Sequence, residues 1–187
     1  MNGNENQELE RLFGGNPQIK ATLEQACDTG RSGTAAATAE PVFRDKQSLL
    51  GYVVQQSKSL GTWIERVEDL VCGMIGNGQE NDVFLSVDGQ FAIKLNNFAL
   101  LPSSATNLEG FIHRLIAHNR LFPEDAYTII GFADNSNGEP CAVMQQPFIE
   151  PARYATDAEI DDQPEQPATV KLPSKKQPRS NYRVLIV

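Results

Sequence analysis

The chain has 187 residues and a formal net charge of -8, a length suited to one domain with additional segments rather than two full domains. The acidic balance excludes the broad basic footprint that nucleic acid demands. Three cysteines, Cys27, Cys72 and Cys141, stand far apart without a Cys-x-x-Cys pair or a Cys/His cluster, so neither a disulfide framework nor a metal centre is expected.

Along the first 44 residues the texture is that of a flexible or partly helical leader. Leu9, Leu12 and Phe13 give a short helix one small apolar stripe, and Gly14-Gly15-Asn16-Pro17 breaks it. A second short helix fits residues 18–27. The small-residue stretch 29–41 reads as a linker. Asp45 can cap a helix running to about Leu60, with Leu49, Leu50, Val53 and Val54 on one face. A short strand at Cys72–Ile75 leads into the glycine turn Gly76-Asn77-Gly78. Val83 to Leu85 and Phe91 to Leu95 form two strands around a tight turn at Asp88-Gly89. Thr106 or Asn107 then caps a helix holding Leu108, Phe111, Ile112, Leu115 and Ile116, which Pro123 stops near Leu121. Tyr127 to Phe132 and Pro140 to Gln145 are further strands, joined by a hairpin loop at 135–138. Residues 45–160 thus make one domain: an α+β lobe with an antiparallel sheet of about five strands and one packed helix.

From residue 161 to 187 a Pro- and charge-rich tail is expected to lack a packed core. An acidic block (Asp157, Glu159, Asp161, Asp162, Glu165) precedes a basic one (Lys171, Lys175, Lys176, Arg179, Arg183). The apolar end, 182–187, either adds a strand to an open sheet edge or remains unstructured. No apolar run approaches the ~18 residues of a membrane span, and no secretion signal stands at the N-terminus. A cytoplasmic protein without membrane or nucleic-acid partners is the expectation.

One constellation carries chemistry. Gly76 and Gly78 let backbone approach a ligand, and successive N–H groups in such a turn form an anion-binding concavity. Lys94, one hairpin downstream, can meet phosphates from the side, and Val83 can roof an adenine ring. Met144 stands at the back of such a pocket, with Gln145 and Gln146 just beyond it. Taken singly, each has a plainer reading: hairpin turn, edge lysine, core valine, core methionine. Their order and spacing agree with one another. Glu109 either pairs with Lys94 or answers the helix dipole. The aromatics of the 122–127 turn are expected to pack the helix against the sheet.

The strings IGNGQENDVFL, FAIKLNNF, HNRLFPEDAYTIIGF and AVMQQPFIE resemble the kinase-like domain of bacterial polyvalent proteins, found in phages and conjugative elements, over about residues 60–159. The resemblance implies the small lobe of a protein kinase. Gly76, Asn77 and Gly78 would belong to the nucleotide loop, Lys94 would hold the ATP phosphates and Glu109 would be its partner. Gln145 and Gln146 would lie at the hinge. Two kinase features are missing from the 187 residues: a His-Arg-Asp catalytic loop and the Asp-Phe-Gly that binds Mg²⁺. The expectation is therefore a catalytically incomplete small lobe that binds ATP weakly or serves protein interaction, with no metal of its own. Two alternatives stay open: a phosphotransferase subunit completed by a large lobe on another chain, and a non-nucleotide binding module.

Overall fold

The computed structural model describes residues 3–31, 43–105, 107–149, 153–154 and 185–186. It contains two compact units, 1–148 and 149–187. In the first, helices α1 (Gly3–Leu12), α2 (Pro17–Arg31) and α3 (Lys46–Ser59) precede strands β1 (Val71–Asn77), β2 (Asn81–Ser86) and β3 (Phe91–Asn96). Helix α4 (Glu109–Leu121) and strands β4 (Thr128–Asp134) and β5 (Pro140–Pro147) complete it. The second unit holds β6 (Arg153–Tyr154) and β7 (Leu185–Ile186), paired antiparallel as Arg153 with Ile186 and Tyr154 with Leu185. The apolar C-terminal end thus meets Arg153–Tyr154 in a two-stranded sheet of its own and is not a strand of the larger sheet. The acidic and basic blocks between them lie outside the described residues.

The main sheet is five-stranded and antiparallel throughout, in the order β1-β2-β3-β5-β4. The strand pattern predicts this α+β antiparallel sheet, and the family resemblance implies its likeness to a kinase small lobe. Two-residue alternation divides the strands between two faces. Met144, Ile129, Phe132 and Ala142 turn toward the helices and join Leu49 and Val53 of α3 and Phe111 and Leu115 of α4 in one buried cluster. Ile93, Leu95, Ala133, Cys141 and Val143 form the opposite face, covered by Ile64, Val67 and Phe84 among others. Burial there pushes the Cys141 thiol up to about 12, as desolvation of a thiolate requires.

The first two helices are integral to this core. Leu9, Leu12 and Phe13 are buried with Ile19 and Leu23, so the expected leader supplies part of the same hydrophobic cluster. The break between α1 and α2 falls at Gly14 and Gly15, both with positive φ. Helix α2 runs to Arg31, beyond the expected end near residue 27. Residues 32–42, the rest of the expected linker, lie outside the described residues.

Asp45 caps α3 through a reciprocal box. Its carboxylate accepts from the Ser48 N–H at 2.9 Å, and the Ser48 hydroxyl accepts from the Asp45 N–H at 3.2 Å. These bonds favour the charged form and hold the Asp45 carboxyl below its ordinary range. The buried positions Leu49, Val53 and Ser57 recur every four residues, the spacing of one helix face. At α4 the cap sits one residue later than expected: Leu108 holds the N-cap position, and the Asn107 side chain accepts from the Glu109 N–H at 3.1 Å.

Beyond α3 the chain lies along the β4 edge. The Ile64 N–H donates to the Phe132 carbonyl at 2.7 Å, and the Phe132 N–H donates to Thr62 at 3.0 Å. The sheet edge that would otherwise template another strand is thereby covered. Close approach here demands glycine at 131. A Cβ on Gly131 would stand 2.7 Å from both the Thr62 carbonyl and Ile64 Cδ1. Gly131→Ala is expected to lower unfolding free energy by about 1–3 kcal/mol through overpacking. Gly51→Ala, in α3 with open space around its Cβ, should instead stabilise by about 0.5–1 kcal/mol. Urea denaturation of both variants checks the contrast, and equal effects would contradict the packing described here.

Candidate nucleotide site

Strand register assembles the site. Gly76 pairs with Val83, Val83 with Lys94, and Lys94 with Met144. Directly opposed residues in antiparallel strands share a face, so the four form one row across β1, β2, β3 and β5. Met144 belongs to the helix-side cluster, so the row lies on the α4 side. A parallel row, Leu85, Ala92 and Gln146, runs beside it. The expected neighbours Gly76, Val83, Lys94, Met144 and Gln146 thus share one side of the sheet. Gln145 pairs with Ile93 and faces the other side. Any role for Gln145 in this row is therefore confined to its backbone.

The glycine turn is anchored at its tip. The Gly78 N–H donates to the Asn81 carbonyl at 2.8 Å, so that N–H is not an open donor of the expected concavity. The Asn97 N–H donates to the Glu80 carbonyl at 3.1 Å, and the Asn97 side chain donates to the Gln79 carbonyl at 3.2 Å. Asn77, the last residue of β1, pairs with Asp82 and is exposed. Neither Gly76 nor Gly78 has positive φ. A Cβ at either would make only ordinary contacts, 3.9 Å to Val83 and 3.7 Å to Asn81. The fold itself therefore does not require glycine at 76 or 78.

Lys94 is half-buried, and its ammonium donates to the Tyr127 hydroxyl at 2.9 Å while lying 4.8 Å from the Tyr127 ring centre. Its expected partner Glu109 stands elsewhere. Glu109 opens α4 and lines a cavity of about 440 Å³ with Leu9, Phe13, Ile112 and Ile116. On α4, Arg114 reaches Glu80 and His118 packs on Tyr127, one turn apart on the same helix face. Five residues separate Glu109 from Arg114, about 7.5 Å of helix rise. The expected Lys94–Glu109 pair is replaced by the bond from Lys94 to Tyr127, with Glu109 at the α1–α4 cavity.

Glu80 ties the glycine turn to its surroundings. It accepts from the Asn96 side chain at 3.1 Å and lies 3.6 Å from the Arg114 guanidinium. The glycine turn is thereby linked to both β3 and α4. Tyr127 is held from every side. Its N–H donates to the Asn119 side chain at 2.7 Å, and the same amide donates back to the Tyr127 carbonyl at 2.9 Å. Its ring packs 4.4 Å from His118. His118 Nε2 donates to the Asp125 carbonyl at 3.0 Å, since a carbonyl can only accept.

Asp125 also accepts a hydrogen bond from the Gln146 amide. A carboxylate accepts only, so the Gln146 nitrogen must face it. That leaves the Gln146 oxygen buried without a partner among the described residues. The β4 ladder begins at the Thr128–Gln145 pair, so Gln146 and Pro147 have β3 alone as a strand neighbour. Pro147 carries no N–H, and the Phe148 N–H donates to Gln90.

Tyr127, Asn119, Arg114 and Asp125 join the site without having been singled out by the sequence. The legible signal was at Tyr127: a phenol two residues before the buried Ile129 of β4 shares its face. Among the described residues no group of three or more His, Cys, Asp or Glu could hold a metal ion, and no helix is long and apolar enough to cross a membrane.

Asn119→Ala removes both bonds to the Tyr127 backbone. It is expected to cost about 1–3 kcal/mol, because two backbone groups lose their partners. Chemical denaturation reads this directly, and unchanged stability would show that the amide clamp contributes nothing.

A family model described as a serine/threonine/tyrosine kinase found in polyvalent proteins matches residues 44–166. No curated protein and no solved structure matches the chain.

Proposed function

Since the chain belongs to the kinase family found in polyvalent proteins, we propose that its sheet forms a nucleotide-binding small lobe that takes ATP without carrying phosphotransfer by itself. The observation that carries this reading is the single row of Gly76, Val83, Lys94 and Met144 across four strands. The order is what a kinase-type lobe uses: a glycine turn over phosphates, a β-strand lysine beside them and an apolar back wall. Lys94 would hold phosphate oxygens. Val83, with Ala92 in the neighbouring row, would supply the apolar surface for the base.

Two features support ATP on grounds of fit. The glycines at 76 and 78 are not demanded by the fold, so the space above them is available to a ligand. The buried Gln146 oxygen lacks a donor among the described residues, and the amino group of adenine would be such a donor once the amide turned toward it. Glycine at 76 and 78, Lys94 and Gln146 are thus the residues that would hold the nucleotide, which would supply the phosphate chain.

Phosphotransfer needs an aspartate to orient the acceptor hydroxyl and a carboxylate set for Mg²⁺. These 187 residues contain no His-Arg-Asp and no Asp-Phe-Gly. Binding without turnover is therefore the reading for this chain. One observation favours the second reading, a partner chain that completes a phosphotransferase. Leu121 and Phe122, at the C-terminal end of α4 beside His118, are 73% and 55% exposed, and large apolar side chains in that state suit an interface.

ATP at millimolar concentration should raise the melting temperature, because a ligand that binds only the folded state adds RT ln(1 + [L]/Kd). Lys94→Ala should abolish that rise. No shift for the wild-type protein would overturn the nucleotide reading, and an undiminished shift in Lys94→Ala would remove the lysine from it.

A further inference from the structure

Tyr127 partners the strand lysine, a part that the kinase pattern gives to a carboxylate. In that pattern the strand lysine is paired with a helix glutamate, a neutral pair overall. Here Lys94 makes no ion pair among the described residues, and its fixed partner is a phenol. Arg114 and His118 of α4 contact Glu80 and the Tyr127 ring. Two consequences follow from donor and acceptor counts. An ammonium has three donors, of which the Tyr127 hydroxyl takes one. The hydroxyl oxygen accepts that bond, while its own hydrogen has no acceptor among the described residues. The phenol is also held still, by Asn119 at its backbone and His118 at its ring.

We propose that Lys94 and Tyr127 act as one composite anion clamp, in which the hydroxyl fixes the ammonium and donates its own hydrogen to the same phosphate group. This deepens the nucleotide reading and rests on it. Tyr127 is then a binding residue as well as the residue that positions Lys94. A lysine fixed by a neutral group keeps its full charge for the ligand, whereas a lysine paired with a carboxylate shares it. The clamp recognises the polyphosphate chain and is indifferent to the base.

The test uses the full chain, two ligands and Tyr127→Phe, which keeps the ring against His118 and removes only the oxygen. ATP and inorganic tripolyphosphate are titrated calorimetrically. Tyr127→Phe should weaken both by about tenfold or more, the size of a lost hydrogen bond to a charged group. A general loss of stability would alter the labelling of every lysine together, not of Lys94 alone. The rate at which Lys94 is acylated is therefore read by mass spectrometry without ligand. Lys46, whose ammonium donates to the Phe98 carbonyl, is the internal reference. In Tyr127→Phe the ratio of Lys94 to Lys46 labelling should rise several-fold, because the ammonium is no longer tethered.

Wild-type binding with equal affinity in Tyr127→Phe would overturn the clamp and leave the nucleotide reading intact. Equal binding of tripolyphosphate and ATP, both weakened in the variant, would support the clamp and overturn recognition of the base. Failure of the wild-type protein to bind either ligand, or an unchanged labelling ratio, would overturn the clamp.

Discussion

The register of β2, β3 and β5 is the constraint on which the rest of the molecule depends. Side chains alternate strictly across a sheet, so a slip of one residue would exchange every face. Lys94 would then enter the dry layer of Ile93, Leu95 and Val143, and those residues would turn toward the helices. An unpaired ammonium in such a layer is far more costly than a misplaced methyl group. Two buried clusters, one on each side, therefore pin the lysine to the α4 side. The short turn at Asp88-Gly89 reinforces that register. Ser86 donates to the Asp88 carboxylate at 2.6 Å, and the Gln90 N–H donates to it at 3.0 Å, while Gly89 takes the left-handed conformation with φ 71°.

Polar groups then tie the row to its surroundings. Asn96 and Asn97 follow Lys94 closely on β3 and its exit, and both reach the glycine turn. Glu80 extends the link to Arg114 on α4. Phe98 holds the next bend with φ 57°, a conformation uncommon for a bulky residue. Its N–H donates to the Asn96 side chain, its carbonyl accepts from the Lys46 ammonium, and its buried ring meets Phe111 edge-on. Turn, strand and helix are joined by a handful of side chains from residues 80 to 98. This continuity gives the candidate site its shape.

Much of this was legible in the sequence, and the limits have physical causes. Strands of alternating polarity, such as FAIKL, declare both their existence and their faces, so five strands and the lysine's side of the sheet could be read. Asp45 and the Gly14-Gly15 break also announce themselves, because capping and positive φ have few residue solutions. The Lys94–Glu109 pair could not be decided from spacing, since it depends on how far α4 slides along the sheet. Tyr127 was read as packing, and it does pack on His118. Its hydroxyl role is tertiary: the bond to Lys94 joins residues 33 apart in sequence, beyond any local pattern. The contribution of α1 and α2 to the core was likewise hidden, because Leu9, Leu12 and Phe13 look like a minor stripe until α4 is laid beside them.

We propose that one cross-strand row, from the glycine turn to Met144, is where this kinase-family chain takes an anionic nucleotide. Amide chemical-shift mapping by NMR during an ATP titration tests it most directly. The account predicts saturable shifts concentrated at Gly76, Gly78, Val83, Lys94 and Gln146, with little change at Leu9, Glu24 and His113 around the α1–α4 cavity. Shifts confined to that cavity, or to the opposite sheet face at Ile93 and Val143, would contradict it.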